Sequence, residues 1–509
     1  MISHHGKTST REQSVIVSDS AKSSKEILKS TGIIGGSKVF AILISIVQVK
    51  IVAILLGPDG VGSVSLFNSV IAVLTTITSF GISFSAVRNI SMAVANQEEN
   101  QIAKIITVVK RWVIFSGILG FTLMAVFSDR ISNWTFGDES KSTELSILAI
   151  ALLFISISGG QSAILRGHRK IKDLAKVNIY GAVFGFVISV PIYYLYGSDG
   201  IVPVLILMNL STLIISFLYS RKIKTKRIYV SLNESFNEGK GFIKLGSFTV
   251  LTGFFMTGSL YYVRILITDQ YGVDDVGYFA AASALSIKYL DVLLQSLGTD
   301  YFPKLSAVHN NQVKVNTLVN EQTLVTVLIG TPLVLIMLTF SNLIITILYS
   351  AEFTEASSLL MWMTLGIFFR LILWPIGFVF LAKAKGRIFV FTQGIWNIAF
   401  IGLAFIGISY FGLEAIGMAF AAAYLITYVI NFLIIKFSNR FQYDGKLHSL
   451  ILIMMVLVIS TFTFGKILDS YWKYIFTILP LIVGISISIK ELNEISSFKE
   501  VFKKILRRS

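Results

Sequence analysis

Apolar runs of about 20 residues recur from residue 33 almost to the C-terminus, separated by short polar segments. A run of that length crosses the roughly 30 Å hydrocarbon core of a bilayer as one helix. Lipid offers no partner to backbone N–H and C=O groups, so such runs are helical. Fourteen candidates follow: 33–56, 64–84, 111–127, 145–165, 177–196, 201–219, 245–268, 276–299, 320–340, 357–382, 388–410, 414–435, 447–464 and 473–489. Only 14% of residues are charged and mean hydropathy is +0.75, whereas a soluble domain carries about 25% charged residues. The expected fold class is an all-α polytopic membrane protein. A soluble enzyme, a coiled coil and a disordered chain are excluded.

The net charge of +16 does not point to nucleic acid, because the basic residues are placed by topology. Of the 44 Lys and Arg, 35 fall in alternate polar segments, with 7 of them in 220–244. The opposite segments hold only Arg130, Lys141, Lys466 and Lys473. Positive loops stay on the cytoplasmic side, so both termini are expected there. The longest outer loop, about 128–144, is too short for an external domain. Residues 1–30 are polar and lack the apolar core of a cleaved signal peptide, so the first run is expected to direct insertion.

Cysteine is absent, which excludes disulfides and thiolate chemistry. Histidines at 4, 5, 168, 309 and 448 are scattered, and no HExxH, phosphate-cradling Gly loop or dinucleotide fingerprint is present. ATP hydrolysis, a metal and a cofactor are therefore not expected.

The chain repeats at an offset of 215. Gly57-Pro58-Asp59-Gly60-Val61-Gly62 maps onto Gly272-Val273-Asp274-Asp275-Val276-Gly277, and Gly197-Ser198-Asp199-Gly200-Ile201 onto Gly412-Leu413-Glu414-Ala415-Ile416. Six spans per repeat give two lobes of like orientation, a layout suited to a transporter whose lobes rock about a shared substrate path. The organisation read from this is a tail at 1–30, an N-lobe at 31–219 and a basic connector at 220–244. A C-lobe at 245–437 and an extra helix pair with a basic tail at 438–509 complete it.

Leu55-Leu56-Gly57-Pro58-Asp59-Gly60-Val61-Gly62, followed by Gly81-Ile82-Ser83-Phe84-Ser85-Ala86-Val87-Arg88, resembles the opening of Wzx-type polysaccharide transporters. These belong to the multidrug/oligosaccharidyl-lipid/polysaccharide exporter superfamily. The two-times-six layout and basic middle segment extend the resemblance over nearly the whole chain; the extra C-terminal pair is a variation on the usual twelve spans. The resemblance implies a flippase of the bacterial inner membrane for undecaprenyl-pyrophosphate-linked oligosaccharide, serving O-antigen or a related surface polysaccharide. Its implied partners are that substrate, membrane lipids, a polysaccharide polymerase and a chain-length regulator.

Ionisable groups inside spans are costly, at least ~2.5–3.5 kcal/mol at a helix centre, and are functional candidates by default. Lys38, Lys50, Arg264, Lys288 and Arg370 fall within spans, against Asp291 as the one central acid. Lys50, Arg264 and Lys38 lie within roughly 6–9 Å of span ends at 1.5 Å per residue, so snorkelling to water competes with lining a cavity. Lys288 and Arg370 are near mid-span. Lys288 and Asp291 are spaced to pair on one helix face; Arg370 requires either a wet cavity or a pairing across helices with Asp291. The expectation is that the five cations line a central cavity and contact pyrophosphate or acidic sugars, Arg offering a fork of donors suited to phosphate oxygens.

Arg88 is either a topological anchor or an entry-gate phosphate contact. Asp291 is the candidate for H⁺ or Na⁺ coupling, and Pro375 for a hinge, because a mid-span Pro interrupts the helical hydrogen-bond ladder. The hydroxyls of span two, Ser69, Thr75, Thr76, Thr78, Ser79, Ser83 and Ser85, are candidates for sugar contacts, but such groups more often bond their own backbone or allow close helix packing. Tyr261, Tyr262, Trp362 and Trp374 are either belt residues or sugar-stacking groups. A lipid II-type flippase shares the same anionic chemistry. A multidrug cation antiporter would want an acidic cavity, and a membrane polymerase or ligase a large outer catalytic loop; neither feature is present.

Overall fold

The computed structural model describes residues 6–226, 228–383, 385–439, 441–468 and 470–494, so the end of the C-terminal tail lies outside the described residues. The described chain is helical, without a strand. In order, α1 is Gly6–Thr78, α2 Ile82–Ala95, α3 Glu99–Val126, α4 Ser128–Phe136, α5 Ser142–Leu148, α6 Ile150–Gly167, α7 Ile171–Tyr196 and α8 Ile201–Ser220. Next come α9 Leu232–Tyr271, α10 Val273–Ser283, α11 Tyr289–Ala307, α12 Gln312–Thr339, α13 Ser341–Leu348 and α14 Ala356–Ala382. The last four are α15 Gly386–Phe411, α16 Glu414–Asn439, α17 Gly445–Ile467 and α18 Ser470–Glu494.

Among the described residues, 10 helices are long and apolar enough to cross a membrane, or 11 with the bent pair α3–α4, against the fourteen expected. Part of the difference is continuity. The segments Val39–Thr78 and Ile171–Ser220 count once each at 40 and 50 residues, about 60 and 75 Å of helix, which is two bilayer thicknesses or more. Each is interrupted at a glycine of the sequence repeat: Gly57 has φ 65°, ψ −170°, and Gly197 has φ 55°, ψ −132°. Their counterparts at offset 215 adopt the same backbone, Gly272 at φ 94°, ψ −176° and Gly412 at φ 63°, ψ −153°. This corner of conformational space is open essentially only to glycine, so the four glycines are fixed by chain reversal and not by packing.

The chain forms two compact units. Unit 1 comprises the chain up to Gln48, Leu74–Phe127 and Glu144–Val250. Its core joins Ile82, Ala86, Ile90 and Ala93 of α2 with Ile105, Val108, Val109 and Trp112 of α3 and Ala163 and Ile164 of α6. Gly117 and Gly160 let α3 and α6 approach until a Cβ at either would press on Leu153 or Val113. Small residues at helix contacts serve where lipid removes the hydrophobic drive for association. The α9 helix opens with a capping box: the Ser231 amide donates to Glu234 Oε2 (3.0 Å), and the Glu234 amide donates to Ser231 Oγ (3.1 Å).

Unit 2 comprises Val49–Val73, Ser128–Thr143 and the chain from Leu251. Its core is built on α14, whose Phe368, Leu371 and Ile372 are fully buried or nearly so, with Phe400 of α15 and Phe420 of α16 at 0% exposure. Gly366 lets α16 close on α14, since a Cβ there would lie 2.9 Å from Ala421 Cα. The extra C-terminal pair, α17 and α18, packs on α12.

Candidate functional site

Unit 2 gathers most of the intramembrane charge. Arg370 sits on α14 between the buried Phe369 and Leu371. Its Nη2 donates to Asp291 Oδ1 of α11, forming an ion pair whose side chains are 16% and 27% exposed. The guanidinium also lies 5.9 Å from the ring centroid of Tyr424 on α16. Asp291 follows a π-helical turn at Ala284–Lys288; such turns insert one extra residue per turn and often mark functional sites. Of the two settings open to Arg370 from sequence, a wet cavity or a pairing across helices, the pairing with Asp291 is present. The pairing is incomplete, because Arg370 Nη1 is buried without a partner.

Arg264 on α9 is held differently. Nε donates to Ser65 Oγ (2.8 Å) and Nη1 to the Leu260 carbonyl (3.0 Å), and Cζ stands 5.3 Å from the Phe279 ring centroid. Lys50 of α1 donates through Nζ to the Thr346 carbonyl of α13 (2.9 Å). Neither cation has an ion-pair partner among the described residues. Lys50 plus 215 falls one residue from Arg264, and both cations are held by neutral groups.

The side chains of Lys38 and Lys288 lie outside the described residues. Arg88 is exposed on α2 of unit 1. Pro375 is buried within the continuous α14, and its carbonyl accepts from the Tyr301 hydroxyl (2.9 Å). In span two, Ser69, Thr78 and Ser79 donate to carbonyls three or four residues back (2.7, 2.8 and 3.0 Å). Among the aromatics, Tyr261 bonds Thr135 (2.6 Å), Trp362 donates to Glu414 (3.2 Å), and Trp374 packs on Tyr301 and Phe378.

Two features escape sequence reasoning. Lys466 pairs with Glu414 (2.6 Å) and bonds Ser358, tying α17 to α16 and α14; at sequence level it is one more outer-loop lysine. The second is a reciprocal contact inside unit 2. A Cβ on Gly62 would overlap the Val273 carbonyl, and a Cβ on Gly277 would overlap the Pro58 carbonyl. Residues 62 and 277, and 58 and 273, are the pairs related by 215, so each repeat turn rests on its own counterpart. The motif glycines were visible in sequence, but their mutual contact was not.

A family model described as polysaccharide biosynthesis protein matches residues 51–358, more than half of the chain. The chain belongs to the polysaccharide biosynthesis protein family. Within that family setting, it is 24% identical over 337 residues to the "Putative O-antigen transporter" of Shigella flexneri, covering 64% of this chain and 78% of that protein. It is 22% identical over 395 residues to the lipid III flippase of Escherichia coli K12, covering 75% of this chain and 91% of that one. Its fold is similar to that of a solved structure described as "Lipid II flippase MurJ, inward closed conformation", with TM-score 0.67 and 16% identity, covering 92% of this chain and 98% of that one. The expected resemblance to polysaccharide transporters and the all-α membrane fold both hold.

Proposed function

We propose that this multi-pass membrane protein is a flippase for a lipid-linked oligosaccharide, moving an undecaprenyl-pyrophosphate-linked repeat unit of O-antigen or a related surface glycan across the bacterial inner membrane. Both termini face the cytoplasm, as the distribution of Lys and Arg requires. The relatives that span most of the chain are transporters and flippases, not enzymes.

The observation that carries the reading is that Lys50 and Arg264 are held by carbonyls, a hydroxyl and an aromatic ring, with no carboxylate as ion-pair partner among the described residues. A charge kept in that setting is costly unless a ligand of opposite sign repays it, and a pyrophosphate brings that sign. Arg370 contributes its second terminal nitrogen to the same substrate, while Asp291 holds the first. Asp291, released when a phosphate competes for Arg370, is the group through which H⁺ or Na⁺ couples to alternating access, with Pro375 as the flexing point of α14. Lys288, Lys38 and the entry residue Arg88 complete the cationic path. A polymerase and a chain-length regulator receive the product.

The test is removal of the gene from its host: the lipid-linked repeat unit should accumulate on the inner leaflet and surface glycan disappear, with both restored by the chain supplied in trans. Normal surface glycan in the deletion strain overturns the proposal. A second reading is a lipid-linked unit of the lipid III type, favoured by the 91% coverage of that flippase; rescue of a strain lacking that flippase distinguishes it.

A further inference from the structure

Unit 1 holds a cavity that the transport reading does not use. It lies where the basic first half of α3, with Lys104, Lys110 and Arg111, meets the opening turns of α9. Arg111, Trp112 and Phe115 form one wall, and Leu232, Ser235 and Phe236 the other, around about 350 Å³. The frame is rigid. Trp112 Nε1 donates to the Ser235 carbonyl (2.9 Å), the Phe236 ring stacks on Trp112 at 6.1 Å, and a Cβ on Gly239 would overlap the indole.

Two polar features are left over inside this apolar slot. Ser235 is 4% exposed, and its hydroxyl has no hydrogen-bond partner. Arg111 spends Nη1 on the carbonyls of Val230 (2.9 Å) and Ser231 (3.2 Å), which fixes the guanidinium, while Nε and Nη2 have no partner among the described residues. The mouth is apolar and open: Phe115, Leu232 and Phe236 are 52%, 80% and 52% exposed. Lys240 stands 4.5 Å over the Phe236 ring, adding positive charge at the rim.

We infer that this slot binds an anionic phospholipid of the surrounding leaflet, its phosphate on Arg111 and Ser235 and its upper acyl methylenes against Trp112, Phe115 and Phe236. A fixed guanidinium with two free donors suits a phosphate diester. A Trp at the end of a span suits the headgroup boundary. The segment 220–244, with 7 Lys and Arg, attracts acidic lipid at about 1 kcal/mol per basic residue near the surface. The volume is at the small end for ligand pockets, which run roughly 300–1,000 Å³; it admits a headgroup and the start of a chain but not an oligosaccharide. The occupant is therefore a resident lipid and not the cargo.

The full-length protein, purified in mild detergent, is titrated with phosphatidylglycerol or phosphatidylcholine, and retained lipid is counted by native mass spectrometry. Phosphatidylglycerol should be retained about tenfold more tightly than phosphatidylcholine: both offer the diester to Arg111, but the choline cation meets Lys240 at the rim and the basic segment 220–244. Arg111→Gln should lower retention of both lipids, since both place their diester on that guanidinium. Leu232→Asp alters a side chain too exposed to matter for folding; it should lower phosphatidylglycerol retention by repulsion and leave phosphatidylcholine unchanged. Millimolar inorganic phosphate should not displace the lipid. Equal retention of the two lipids, no effect of either variant, or displacement by phosphate alone overturns the inference. The readout does not depend on transport, so its failure leaves the flippase reading standing.

Discussion

Asp291 bonds only one of the two terminal nitrogens of Arg370, so the ion pair on α11 and α14 leaves a buried donor unsatisfied inside unit 2. A purely structural pair would be expected to satisfy both, because a buried donor without a partner costs about 1–3 kcal/mol. That spare donor separates two roles by experiment. Arg370→Ala or Asp291→Asn alone should lower thermal stability, since removing one partner of a buried pair costs ~3–5 kcal/mol. The double variant Arg370→Leu/Asp291→Leu should recover most of that stability yet still fail to export glycan. Recovery of export in the double variant would reduce the pair to a structural one.

Lys50 and Arg264 should behave differently, because neither holds an acid in place. Lys50→Met and Arg264→Met should fold normally and lose transport. Hydrogen bonds to charged groups are worth about 1.5–3 kcal/mol, or about 10- to 150-fold in the rate of lipid-linked substrate flipping into proteoliposomes. Unchanged flipping in both variants counts against a cationic path.

The contact between the repeat turns yields a third expectation. Gly62→Val or Gly277→Val drives a side chain into the facing backbone carbonyl, and overpacking of this kind costs about 1–3 kcal/mol. Cysteine is absent from the chain, so a single Val273→Cys gives a clean probe. Its maleimide labelling should be slow in the parent background and faster with Gly62→Val; equal rates would mean that the turns do not rest on each other in solution.

Asp275, in the turn before span eight, gives a pH dependence. Burial first, then the nearby Glu355 and Asp274, hold its carboxyl above the ordinary value of 3.8. A raised acid binds its proton more tightly in the folded turn than in the unfolded chain. The folded turn therefore loses stability as pH rises from that ordinary value through the raised one. Asp275→Asn removes the penalty: its melting temperature should exceed the parent's at neutral pH, and the gap should close on acidification. A gap constant with pH would exclude Asp275 as its source.

Much of this was legible in the sequence because its causes are local. The period and length of the apolar runs specify helices, and the glycines at 57, 197, 272 and 412 mark reversals that no other residue makes cheaply. The cations inside spans were likewise visible as anomalies of composition. What each one touches was not. The pairing of Arg370 with Asp291, where the sequence left a wet cavity equally open, and the solvation of Arg264 by Ser65 and Phe279 depend on residues up to 199 positions apart. The slot at Arg111 went unseen for a related reason: in sequence, that arginine is one of several basic residues ending a span.

The sequence by itself determined that the chain lies in a membrane and where its helices turn, since the bilayer acts on each segment independently of its neighbours. Only the tertiary structure decided which buried charges are answered by a carboxylate and which are left to neutral groups. Neutralisation is a matter of a few ångströms between helices distant in sequence, and no pattern along one helix encodes it.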